Sequence, residues 1–109
     1  MTVYVDDMET EFRGMRMCHM IGSDEAELHS MAERIGMRRE WFQRGDHYDV
    51  PQHRKAQAVA AGAVEITRRQ AALMIRMARL TGSMGTPEEA EAWHRRRVAE
   101  KAQARTRAW

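Results

Sequence analysis

A chain of 109 residues has room for one domain with a core of modest size. Charged residues make up 31% and apolar residues 43%, the mix of an ordinary globular protein, which excludes a disordered polyelectrolyte. The lone Cys18 excludes an internal disulfide, and no apolar run approaches the roughly 18 residues of a membrane span, so a cytoplasmic protein with no membrane partner is expected.

The opening segment TVYVDD lacks the basic start and the longer apolar stretch of a signal peptide. Its β-branched and aromatic residues, Thr2 to Val5, predict a short buried strand ending in Asp6-Asp7. Residues 8–16 contain Gly14 and have no clean period, so a loop is expected. Residues 17–21 predict a second strand, closed by Gly22. Asp24 and Glu27 stand at N-cap and N3 spacing, and Leu28, Met31, Ala32 and Ile35 repeat at helical spacing up to Gly36. Residues 37–46 predict a short helical turn before Gly45-Asp46. His47 to Val50 read as a very short strand. Pro51 then suits the first position of a helix that runs to about Ala61 and stops at Gly62. Residues 63–66 predict a strand, Thr67 and Gln70 a capping box, and 68–80 a third helix. Thr86-Pro87-Glu88-Glu89 starts a last helix that is polar nearly all round. The ten methionines are expected mainly as flexible core filler.

Strands alternating with helices predict an α/β layer fold. The expectation is a small single domain with a short, mostly parallel sheet and flanking helices over 1–85, plus a C-terminal basic helix over 86–109. Ligands of such sheets bind outside the carboxyl ends of the strands, beside helix N-termini that attract phosphate or carboxylate. His and Asp residues cluster at those predicted ends: Asp6, His19, Asp24, His29, His47 and Asp49. Three chemistries suit them. A histidine with a carboxylate partner can act as a general base, which makes His19, His47 and Asp49 the catalytic candidates. The spacing His47-x-Asp49-x-x-x-His53 brings metal-ligand types together, but it matches no specific metal motif and no metal or other cofactor is assigned. Third, the group can bind a phosphorylated ligand without chemistry, with Asp6, Asp24, His29, Tyr48 and Arg54 as contacts. Each has a structural role to set against this. Asp24 is first a helix cap, His29 borders a buried helix face, and His53 and His94 read as solvated helix residues.

The stretches MTVYVDD, CHMIGSDEAELHSMAERIG and WFQRGDHYDVPQHRKAQAVAAGAVEIT resemble the domain-of-unknown-function 4031 family of small bacterial and phage proteins. The most specific parts are Val5-Asp6, the pattern over His19, Asp24, Leu28 and His29, and HYDV followed by Arg54. The resemblance covers roughly residues 1–80. It implies a shared site at those polar positions and a bacterial host cell, and it names no reaction.

The net charge of +2 falls entirely in residues 88–109, where acids come first and bases last. Arg95, Arg96, Arg97 and Lys101 can contact a nucleic-acid backbone, or simply complement the helix dipole. Trp93, Val98 and Trp109 can dock a second subunit in a homo-oligomer. The leading expectation is a phosphate-bearing, nucleotide-like small molecule bound at the His/Asp group. Two alternatives stand beside it: a noncatalytic phage accessory protein inhibiting a host defence protein, and a nucleic-acid-binding accessory factor.

Overall fold

The computed structural model describes residues 2–108; Met1 and Trp109 lie outside the described residues. In strand β1 (Val3–Val5) the two valines are buried on one face and Tyr4 is half-buried on the other. Next, β2 (Thr10–Phe12) and β3 (Met15–Gly22) form a hairpin. Arg13 and Gly14 join them with φ of 50° and 78°, the left-handed pair that matches strand twist in a two-residue turn. The loop expected over 8–16 thus contains a strand. All three β2 residues are exposed, so no apolar alternation marks it.

Helix α1 (Glu25–Arg34) starts at Asp24, whose carboxylate accepts from the Ala26 and Glu27 amides. It ends at Gly36, with φ of 79°, where the Met37 amide donates to the Ala32 carbonyl and closes the terminus. A single 3-10 turn (Arg39–Trp41) leads into a second hairpin, β4 (Phe42–Gln43) and β5 (His47–Pro51). Then come α2 (Gln52–Ala60), β6 (Val64–Glu65), α3 (Arg68–Thr81) and α4 (Pro87–Arg107). Thr67 with Gln70 and Thr86 with Glu89 form the two capping boxes that their spacing predicts.

The chain is an α/β protein with one six-stranded sheet in the order β4-β5-β3-β1-β6, with β2 also paired to β3. The expected mostly parallel sheet is corrected: among the described residues only β1 and β6 pair in parallel, and the other four pairings are antiparallel. Crossover logic holds for direction but not for adjacency. The strands joined through α1, β3 and β4, run the same way, as do β5 and β6 joined through α2. Each hairpin then inserts an antiparallel arm between strands that would otherwise be parallel neighbours.

Helices cover both faces of this sheet. On one face α1 and α2 enclose a core that includes Val5, Met20, Leu28, Tyr48, Val50 and Ala58. On the other, α3 and the first turns of α4 pack Leu73, Met74 and Ala90 over Ile21, with Tyr4 and Ile66 alongside. The start of α4 therefore belongs to the core. Its 21 residues span about 31 Å at 1.5 Å rise per residue, and the stretch beyond Val98 is exposed. Among the described residues no helix is long and apolar enough to cross a membrane.

Candidate functional site

Strands β1 and β2 lie end to end along one edge of β3, but not in one register. Val5 faces Met20, whereas Thr10 faces Met17, so two extra residues are accommodated between them. Asp6 stands at that break and is fully buried. Its amide donates to the His19 carbonyl, continuing the ladder, but its side chain takes the next position. Oδ1 accepts from the His19 amide at 2.8 Å and from the Met8 amide at 3.2 Å. Oδ2 meets Nδ1 of the His19 ring at 2.8 Å. The ring hydrogen bond raises the His19 pKa against partial burial, and the charges of Asp6, Asp49 and Asp46 add to the shift. Burial alone would raise the Asp6 pKa; the hydrogen bonds and charge from His19, with the Met8 amide, outweigh it and hold the carboxyl below its usual range.

Across β3 the register sets Asp49 of β5 opposite His19. His47, two residues earlier and so on the same face, brings its ring to 5.2 Å from that of His19, edge to face. His47 is held as His19 is: its Nδ1 lies 2.6 Å from Asp46 Oδ1, and Asp46 Oδ2 accepts from Arg79 Nε at 2.8 Å. Asp49 Oδ2 accepts from Gln43 Nε2 at 2.8 Å. Its Oδ1 lies 3.8 Å from His19 Nε2 and 3.7 Å from His47 Nε2. Neither Nε2 makes a hydrogen bond among the described residues. His19, His47 and Asp49 each offer one ligand atom within 4.8 Å of the others, a set able to hold a metal ion or to exchange a proton.

These groups floor a cleft of about 890 Å³ between the sheet face and α3, continued at His94 of α4. Arg44, Arg68, Arg76 and Arg79 line it with Leu73, Ile75 and Leu80.

The sequence model of the family described as "Protein of unknown function (DUF4031)" matches residues 3–78. The chain belongs to that family. No curated protein and no solved structure matches it. The DUF4031 match takes in the sheet, α1, α2, most of α3 and all of Asp6, His19, Asp46, His47 and Asp49. It leaves α4 outside.

The expected rim is divided by the sheet. Asp6, His19, His47 and Asp49 come together on the α3 face. Asp24 is engaged in capping α1. His29 and Tyr48 meet each other on the α1 side, Nδ1 to hydroxyl at 2.6 Å, and His29 Nε2 reaches Glu25 at 3.1 Å. Burial raises the Tyr48 pKa. Arg54 donates to the Ile35 carbonyl at 2.5 Å, and a Cβ on Gly36 would run into its guanidinium. His53 is exposed on α2, outside the cluster. Cys18 is buried in the α1-side core, and burial pushes its thiol up to about 12. On α4, Arg95, Arg96 and Lys101 are exposed, and Arg97 stacks 4.8 Å over Trp93. Trp109 lies outside the described residues. Asp46, Gln43 and the cleft arginines were not among the sequence candidates. The run Asp46-His47-Tyr48-Asp49, with acids at both ends, was the available signal.

The Asp6–His19 pair predicts a pH profile for the chelator-treated protein. His19 is raised in the fold, so its contribution is complete below its ordinary value of 6.5 and is lost as pH rises through the higher folded value. Asp6 is lowered, so its contribution is complete above 3.8 and is lost as pH falls through the lower folded value. The melting-temperature advantage of the native chain over Asp6→Asn should therefore peak between about pH 4 and 6.5 and shrink on both sides. A gap that stays constant in a thermal-denaturation series from about pH 3 to 9 would rule out an ionised pair.

Proposed function

We propose that this protein binds a phosphate-bearing, nucleotide-like ligand in the cleft between the sheet face and α3. The observation that carries the reading is the concentration of cations there. Arg44, Arg68 and Arg76 line the cleft, and none has a carboxylate within ion-pair distance among the described residues. Guanidinium groups suit phosphate oxygens through paired N–H donors. Leu73, Ile75 and Leu80 give the same cleft an apolar wall for a base, and about 890 Å³ is ample for a mononucleotide. His19 and His47 line the same space.

Calorimetric titration with nucleoside mono-, di- and triphosphates and with dinucleotides tests the reading. At least one class should bind with submillimolar affinity that weakens with added salt. The Arg68→Ala, Arg76→Ala double variant should bind it at least about tenfold more weakly, roughly 1.4 kcal/mol. If no compound binds the folded protein at millimolar concentration, or if the double variant binds like the native chain, the reading fails.

A further inference from the structure

The geometry points to a divalent transition-metal site formed by His19 Nε2, His47 Nε2 and Asp49 Oδ1. This inference does not depend on a phosphate-bearing ligand. It stands on four observations about the cluster itself.

First, the donor atoms already converge. The separations of 3.7 and 3.8 Å from Asp49 Oδ1 exceed by only a few tenths the ~3.4 Å between tetrahedral donors on a zinc-sized ion. All three ligand atoms lie within 4.8 Å of one another, so the two rings must also turn toward each other to share one ion. Second, the other nitrogen of each ring is engaged by a carboxylate, Asp6 for His19 and Asp46 for His47. That contact favours the proton on Nδ1 and the lone pair on Nε2, fixes ring orientation and raises ligand basicity, as outer carboxylates do in metal centres. Third, Gln43 occupies Asp49 Oδ2 and leaves Oδ1 for the shared point. Fourth, three carboxylates, Asp6, Asp46 and Asp49, gather around the two imidazoles, and among the described residues the one guanidinium within ion-pair distance of them is that of Arg79. Arg44, Arg68 and Arg76 line the same cleft but pair with none of the three, so a cation at the shared point meets local negative charge.

Two imidazoles and one carboxylate suit borderline ions such as Zn²⁺, Fe²⁺, Co²⁺ or Ni²⁺ better than the oxygen-seeking Mg²⁺ and Ca²⁺. Three protein ligands leave at least one coordination position open, and all three residues line the cleft.

The test uses the full chain after chelator treatment, titrated with Zn²⁺ by calorimetry and with Co²⁺ by visible absorption. One equivalent should bind with a Kd on the order of 10 µM or tighter, and Mg²⁺ should not compete. His19→Ala, His47→Ala and Asp49→Asn should each weaken binding about 100-fold, while His53→Ala, outside the cleft, should bind like the native chain. Should buried His47→Ala fail to fold by circular dichroism, the half-exposed Asp49→Asn decides. The assignment is overturned if the folded native chain binds Zn²⁺ more weakly than about 100 µM. It is also overturned if Asp49→Asn and His19→Ala retain full affinity, which would mean adventitious surface binding.

Discussion

Replacing Asp6 by alanine is expected to lower the stability of the fold by about 3 kcal/mol, the low end of the cost of breaking a buried charge pair. The carboxylate accepts three hydrogen bonds and is fully shielded from water. Alanine leaves the His19 amide without its acceptor at the break between β1 and β2. It also removes the partner of a ring that can respond by losing its proton, which is why the cost stays near the lower limit. For a chain of this size that loss lowers the melting temperature by on the order of 15 °C. Asp6→Asn separates packing from charge. The amide oxygen can still accept from the His19 backbone, but its NH₂ group then faces Nδ1 and favours the tautomer with hydrogen on Nε2. That variant should lose only about 1–2 kcal/mol while binding Zn²⁺ about 10–100-fold more weakly. Denaturant unfolding and Zn²⁺ calorimetry on the two variants check this. Native-like stability of Asp6→Ala would mean that the buried carboxylate does not hold the β1–β3 junction.

The helices were legible because their ends carry local chemistry. Asp24, Thr67 and Thr86 cap where their spacing predicts, and Gly36 takes the left-handed conformation that ends α1. The hairpins were not. Both turn on an Arg-Gly pair, Arg13-Gly14 and Arg44-Gly45, in which arginine adopts a positive φ that Asn or Asp more commonly supplies. Without those reversals the alternation of strands and helices reads as a parallel sheet, and a parallel sheet wrongly gathers every polar strand end onto one rim. The site residues themselves were visible as types. Their grouping was not, because it depends on cross-strand register: His19 meets Asp49 through β3–β5 pairing, and Asp6 reaches His19 through a break in β1–β2. Sequence spacing offered His53 as the companion of His47 and Asp49. The helix beginning at Gln52 carries His53 away, and His19, 28 positions before His47, stands in its place.

Leu28→Ala is expected to cost about 3 kcal/mol, comparable to Asp6→Ala, with the opposite consequence for the site. Leu28 is 1% exposed and sits on the buried stripe of α1, in the cluster with Val3, Met20 and Tyr48. Truncation removes the buried methyl groups and leaves a cavity that β3 and α1 cannot fully close. The cavity lies on the α1 face, and the His/Asp cluster lies on the other. Successive β3 residues alternate between the faces, so Met20 loses a neighbour while His19 keeps Asp6 and its place opposite Asp49. Below its lowered melting temperature, Leu28→Ala should therefore bind Zn²⁺ and phosphate-bearing ligands within about twofold of the native chain. Stability from denaturant unfolding and affinity from calorimetry, measured on the same preparation, separate the two faces. A large affinity loss in Leu28→Ala would mean that the sheet transmits strain from the α1 core into the cluster, and that the site depends on the packing of both layers.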